Sequence, residues 1–509
     1  MYIVFATALA VRLLVWAAIE HAGTSRVGPP GKDGHAYIAL ANSLAAGRGY
    51  VRNCPRVRLD NPPIDVYMLS NAKPDGAIET LRRLHRRYDL SHLRVALCHD
   101  SRVGKLAATA PPIEQAAYPA PGYPAFLATL KLLAGSSFVA VATLIQCVLD
   151  AATAVLLALA IRRLAPRAPR WIYFAWCFYL PAVTVANEIL TDSVALFLAV
   201  ASVVLVVVAP VRATTTVLAG VALALSVSIR PQFLVAGLVL AAVVIWQKRD
   251  GLLRRLSRGA LLAAPAVALT LAWCARNYTV FGTFAIGPPG GGLLFYSVAA
   301  PAHALLYGDG RLANSQRVLL EQYAPVVLDR PRDVFSFQAV LGKCARDWFR
   351  KHPLAAPAVT VQAMWRKLAG VQKHADPLRH LLGNRTALHL QTLAKTRNWK
   401  RLTVADVFVF LWSLLSCALA LVIAFRWVQA LADRRSWRNP VATGLLLVGL
   451  LAVLPVLPLG NRRYVVHFLA FWVLGGAAAY GAPAESSQPA EPQRVAAELH
   501  RKTSLSSAA

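Results

Sequence analysis

Charge is scarce in this chain. Only 15% of its 509 residues are Asp, Glu, Lys or Arg, against roughly a quarter in a soluble domain. Acids are scarcer still, 24 against 54 basic residues. With 57% hydrophobic residues and a mean hydropathy of +0.49, that shortage excludes a soluble protein with a large core. Paired cysteine spacing is also missing. The seven cysteines, Cys54, Cys98, Cys147, Cys177, Cys274, Cys344 and Cys417, form no CxxC or Cys/His metal motif. No A-x-A site follows the first apolar run, which contains Arg12, so that run reads as a retained anchor. No internal repeat is visible, which counts against an inverted-repeat transporter.

What is present is a series of apolar runs of the roughly 17–25 residues that cross a bilayer. The sequence predicts an all-α polytopic membrane protein with about ten spans, at 2–20, 138–161, 171–187, 189–209, 213–229, 232–247, 260–276, 404–425, 441–459 and 464–481. The net charge of +30 would point to nucleic acid in a soluble protein. Here the membrane accounts for part of it, because Lys and Arg collect on cytoplasmic loops and near anionic headgroups. The expected partner is therefore the lipid bilayer, and no nucleic acid is expected.

The basic residues also orient the chain. Arg162, Arg163, Arg167 and Arg170 occupy the stretch 162–170, Lys248, Arg249, Arg254, Arg255 and Arg258 the stretch 248–258, and Arg426, Arg434, Arg435 and Arg438 the stretch 426–438. Even numbers of crossings separate the three, so all fall on one side, which the positive-inside rule makes cytoplasmic. Both termini are then inside. The chain divides into a first span (1–20), a long outer loop (21–137), six spans (138–276), a second outer loop (277–403), three spans (404–481) and a cytoplasmic tail (482–509) expected to be disordered.

Inside the first loop, 36–46 reads as a short helix that Asp33 caps and Gly47 ends. The run 125–134 is too short to span and reads as an interfacial or re-entrant helix. The stretch 62–100 reads as a small α/β insertion: a strand near 64–68, a basic helix over 75–88 and a strand near 93–97. Cys54 and Cys98 flank it, and a bridge between them is one expectation in an oxidising compartment.

Several short motifs stand at the ends of these runs. In order they are Asp33-x-x-x-Tyr37 with Gly47-x-Gly-Tyr50, Pro121-Gly-Tyr123-Pro124, and Asn187-Glu188-Ile-Leu-Thr-Asp192. Arg230-Pro231, Trp273-x-x-Arg276-Asn277-Tyr278-x-x-Phe281-Gly282 and Arg463-Tyr464 follow. Together with the Arg12 span, this ordered set resembles the GT-C glycosyltransferases that use polyprenyl-phosphate sugars. That superfamily includes the dolichyl-phosphate-mannose protein mannosyltransferases and the bacterial lipid A aminoarabinose transferases. The resemblance covers most of the chain. It implies a fold of GT-C type and an enzyme that moves a sugar from a polyprenyl-phosphate donor to an extracytoplasmic acceptor with inversion. It also implies a multi-pass protein of the inner (plasma) membrane, and the high Ala and Arg content fits a bacterium.

The resemblance makes Asp33 the general base on the acceptor hydroxyl, a role that acid–base chemistry supports, whereas the residue alone is equally a helix cap. Glu188 and Asp192 become acids that line the cavity or hold the acceptor, and otherwise form a turn that reaches water. Arg276, Arg230, Arg463 and Lys343 become ligands of the carrier phosphate, with Arg346 beside Lys343. Otherwise they are snorkelling or solvated cations. Tyr37 and Tyr123 belong to the interfacial motifs. No metal ligand set is evident, and no cofactor is expected beyond the donor itself. Two departures stand out: the 62–100 insertion, and Arg463-Tyr-Val-Val-His467 where relatives often carry a Pro-containing helix. A transporter or flippase of lipid-linked sugars, and a structural subunit of an envelope assembly, are the alternatives.

Overall fold

A computed structural model describes residues 1–27, 33–53, 57–59, 64–69, 95–98, 113–116, 119–208, 212–246, 251–287, 294–308, 312–323, 334–355, 357–362, 404–433, 436–437, 439–453 and 463–480. Helices dominate. Among the described residues four stretches are long and apolar enough to cross a membrane: Tyr2–His21, Gly122–Leu164, Leu252–Phe281 and Val407–Ala432. Five shorter apolar helices accompany them.

Helix α1 (Tyr2–His21) leads to α2 (Asp33–Ala45). Asp33 is the first residue of α2 and not a residue ahead of it, so its carboxylate faces the positive end of the helix from within the first turn. Gly47, at φ 70°, turns the chain out of α2 in the left-handed region that glycine enters without a Cβ clash.

Five short strands follow: β1 (Val51–Asn53), β2 (Val57–Leu59), β3 (Ile64–Leu69), β4 (Val95–Cys98) and β5 (Ile113–Gln115). Antiparallel pairing of β1 with β5 closes the base of the excursion. The other three form a sheet in the order β2-β3-β4, antiparallel and then parallel, with Val66 opposite Val95. The expected helix at 75–88 lies outside the described residues, as do Cys54 and the tail from 481.

The stretch from Gly122 to Leu164 is not one helix. α3 (Gly122–Ala134) ends at Gly135, whose φ of 58° breaks the ladder, and α4 (Phe138–Leu164) starts after a 3₁₀ turn. α3 packs along α2, so the pair forms a platform at one end of the bundle. Next, the run 171–187 departs from the single span the sequence predicts. A 3₁₀ helix over Arg170–Phe178 gives way at Tyr179 to the short α5 (Leu180–Ala186). Pro181 accounts for part of this, since proline has no N–H to donate to an upstream carbonyl.

α6 (Asp192–Val207), α7 (Ala213–Ile229), α8 (Phe233–Trp246) and α9 (Leu252–Phe281) complete the first group of helices. α9 is longer than the predicted span 260–276, and Arg254, Arg255 and Arg258 lie in its first turns instead of in a loop. A π turn at Phe295–Ala299, α10 (Ala300–Leu306), α11 (Leu312–Tyr323) and α12 (Val334–Lys351) make up the described part of the second long loop. β4 lies against α12, which joins the two loops. α13 (Val404–Ala432), α14 (Pro440–Val453) and α15 (Arg463–Tyr480) end the described chain.

One continuous apolar core runs from α1 and α2 through α4, α6 and α7 to α15. Alanine and glycine allow the close approaches. A Cβ on Gly220 would meet the Leu261 carbonyl at 2.7 Å, and one on Gly444 would meet Val243. Small residues at such contacts are how apolar helices gain packing where lipid offers no hydrophobic drive.

Candidate functional site at one end of the bundle

The start of α2 is clamped against the turn between α5 and α6. A Cβ on Gly34 would sit 2.8 Å from the Val27 carbonyl oxygen and 3.2 Å from that of Ile189. Ile189 in turn donates its N–H to the Arg26 carbonyl at 3.0 Å. Asp33, half-buried, and Glu188, also half-buried, therefore flank the same three-way junction.

The junction rests on a polar face of α4. Gln146 donates through Nε2 to the carbonyls of Ala186 (3.1 Å) and Glu188 (2.7 Å), and its Oε1 accepts from the Tyr123 hydroxyl at 2.5 Å. Tyr123 meets Tyr37 edge to face, with centroids 5.1 Å apart. So the two interfacial tyrosines are fully engaged core groups, and they tie α2, α3 and α4 together. Lys131 adds a further link, donating to the Asn42 side chain at 2.5 Å.

Asp192 and Arg230 meet each other. Their ion pair spans 2.7 Å, with Asp192 fully buried, and Arg230 Nε donates to the Thr191 hydroxyl at 2.8 Å. This pair joins the start of α6 to the α7–α8 turn, and each charge answers the other. Nearby, a Cβ on Gly122 would collide with the Ser228 hydroxyl, so the Pro121-Gly-Tyr-Pro corner is seated directly on the end of α7.

Arg276 stands one turn before the end of α9. Its Nη1 donates to the Ala116 carbonyl at 2.7 Å and to the Asn277 side chain at 3.0 Å. The guanidinium lies 5.0 Å from the Trp273 ring, 5.4 Å from Phe281 and 5.9 Å from Tyr50. Ala116 donates its N–H to the Tyr50 carbonyl, and the Tyr50 hydroxyl donates to the Pro119 carbonyl at 2.5 Å. The Gly47-x-Gly-Tyr50 turn that closes α2 is therefore the surface on which Arg276 lies. Beside it is a cavity of about 180 Å³ between the ends of α7 and α9, walled by Pro121, Ser228, Pro231, Thr270, Trp273 and Ile286 among others.

The remaining predicted cations are placed differently. Lys343 and Arg346 are exposed on α12, whose other face buries Leu341, Cys344, Ala345 and Trp348. Arg463 opens α15, and its side chain lies outside the described residues. Among the described residues no cluster of three or more His, Cys, Asp or Glu has the makings of a metal site.

Three participants carry no motif. Gln146 and Asp150 lie one turn apart inside an apolar run, and that polarity at i, i+4 spacing is the only signal for them. Arg26, 5% exposed, donates to Glu20 at 2.7 Å and to the Trp16 carbonyl at 2.8 Å, with its guanidinium 4.5 Å above the Trp16 ring. Nothing in the sequence pattern marks it. Compared with family models, with curated proteins and with solved structures, the chain finds no match.

Proposed function

We propose that the chain is an inverting glycosyltransferase of GT-C type that moves a sugar from a polyprenyl-phosphate carrier to an extracytoplasmic acceptor. The observation that carries this reading is the α2–α3 platform. It has an acid at its start, beside the Glu188 turn, and a guanidinium held by aromatic rings on the turn that closes it. In the reaction Asp33 takes the proton of the acceptor hydroxyl. The freed oxygen attacks the anomeric carbon as the bond from that carbon to the phosphate oxygen breaks. The electron pair leaves with the phosphate, whose growing charge Arg276 stabilises. Glu188 holds the acceptor. The Asp192–Arg230 pair fixes the floor beneath them.

The reading includes ten crossings, with both long loops outside the cytoplasm. The broken run 170–186 suits a crossing despite its length. A 3₁₀ segment rises about 2.0 Å per residue, so with α5 it reaches roughly 28 Å, close to the roughly 30 Å of hydrocarbon.

The test is mass spectrometry of envelope glycans and glycolipids from a deletion strain carrying either the wild-type gene or Asp33→Asn. Asparagine nearly matches the volume and keeps the helix start but removes the base, so the missing glycan should return with wild type only. In vitro turnover should fall by roughly 10²–10⁴. Full complementation by Asp33→Asn would move the base elsewhere, with Glu188 next. An unchanged glycan profile in the deletion strain would remove the enzyme reading.

A further inference from the structure

α4 starts beside the α2–α3 platform and runs to Leu164, so the stretch after it lies at the opposite end of the bundle. Arg162, Arg163, Arg167 and Arg170 are all exposed there, and so is the Trp171 ring. Arg426 of α13 is exposed too. It stands roughly 33 Å along its helix from Val404, just past the roughly 30 Å of hydrocarbon. Among the described residues none of these five arginines forms an ion pair. Their one side-chain hydrogen bond runs from Arg426 to Gln429 at 3.3 Å.

Arg170 and Arg426, far apart in sequence, stand at the same end of one seam. α13 runs antiparallel to the 3₁₀ helix. Trp412 donates to the Phe178 carbonyl, and further along Leu419 and Ile423 share an apolar crevice with Ile172 and Tyr173. From Ile172 to Arg170 is roughly 4 Å of 3₁₀ rise, and from Ile423 to Arg426 roughly 4.5 Å of helical rise in the same direction. The positive-inside asymmetry accounts for the side on which such cations lie, but not for two of them bracketing one seam.

We propose that this end of the seam docks an anionic phospholipid of the adjoining leaflet, whose phosphate takes charge-assisted hydrogen bonds from Arg170 and Arg426. Arg162, Arg163 and Arg167 add to the field that draws the headgroup in. A nucleic acid offers phosphates too. The lipid is favoured because Phe425 and Val428, on either side of Arg426, are both exposed and call for an apolar neighbour. Trp171 beside Arg170 suits the same depth, since tryptophan collects where headgroups meet hydrocarbon. The assignment stands whether or not the chain transfers a sugar.

The test uses the full-length protein in detergent and native mass spectrometry. The probes are dioleoyl phosphatidylglycerol and dioleoyl phosphatidylcholine, which share their chains but differ in charge, the choline cation being repelled by the arginines. Wild type should hold the phosphatidylglycerol on the order of tenfold more tightly. Arg170→Gln and Arg426→Gln should each lose part of that preference, and the double variant nearly all of it. Arg254→Gln, an exposed arginine on α9, should keep it. An unchanged thermal unfolding midpoint shows that each variant is folded. Equal binding of the two lipids by wild type would overturn the proposal. So would an equal loss in Arg254→Gln, which would make the effect one of overall charge. Displacement of the lipid by inorganic phosphate or a short oligouridylate, at equal phosphate concentration, would also overturn it and assign the arginines to a soluble ligand.

Discussion

Arg12 shows what a single charge does inside an apolar bundle. Its guanidinium is fully buried, and its contacts tie α1 to α4 and to the 3₁₀ helix. Nε meets Asp150 at 2.6 Å, Nη1 donates to the carbonyls of Ala8 and Cys177, and Nη2 donates to that of Trp176. The Cys177 carbonyl loses its helical donor where the 3₁₀ helix breaks at Tyr179, because Pro181 has no N–H, and the Trp176 carbonyl also accepts the Tyr179 N–H that ends the 3₁₀ helix. The Phe178 carbonyl accepts from Trp412 Nε1, and the Leu180 N–H donates to the Ser416 hydroxyl, so α13 completes the repair. A broken segment at membrane depth is tolerated only when its backbone groups are satisfied in this way. Arg12→Met or Asp150→Leu strands the remaining charge, and each should cost about 3–5 kcal/mol. The double variant should cost less than the sum, because only the carbonyl contacts are then lost. Thermal unfolding of the detergent-solubilised variants reads this directly. Near-neutral single variants would mean that the break holds without the pair.

At the scale of elements, the second long loop is organised by a ring cluster joining α10, α11 and α12. The His303 ring nitrogen Nδ1 lies 2.9 Å from the buried Ser315 hydroxyl. Tyr307 packs 4.4 Å from His352, and both rings touch Trp348, with centroids 6.1 and 5.1 Å away. Burial first, and then the charge of His352, lowers the pKa of His303 below the ordinary 6.5. The folded loop therefore binds fewer protons at this site than the unfolded chain does. Stability is unaffected by the site above about pH 6.5 and falls as pH drops from there toward the lowered folded value. His303→Gln keeps a partner for Ser315 and removes that dependence. Hydrogen exchange of 300–352 at about pH 7.5 and pH 5.5 should show acid-induced loosening in wild type and less of it in the variant. Equal loosening in both would clear His303 of the role.

For the whole molecule, topology is the decisive expectation. Reporter fusions near residues 75, 190 and 320 should read outside the cytoplasm, and fusions near 166, 253 and 434 inside, because the arginine clusters sit beside the latter. A fusion near 320 that reads cytoplasmic would part the second loop from the α2–α3 platform and end the ten-span arrangement. Were β4 to lie on α12 as it does here, the same result would contradict that contact too.

Much of this was legible in the residues alone, for a definite reason. Long apolar runs leave the backbone no choice but helix, because lipid offers its N–H and C=O groups no partner. Gly47 and Gly135 mark where α2 and α3 stop, since only glycine enters the left-handed region freely. The strands near 64–69 and 95–98 follow from alternation and β-branching. What the sequence could not decide is pairing across long separations. Asp192 reads as a cavity acid and Arg230 as a phosphate ligand until the fold brings them to 2.7 Å of one another. Arg12 reads as part of an anchor run until Asp150 and the carbonyls of Trp176 and Cys177 appear around it. The run 171–187 reads as one span because hydropathy counts residues and does not see a 3₁₀ turn. Local propensity and hydropathy belong to the chain, but the partner of a buried charge is chosen by packing, and packing exists only in three dimensions.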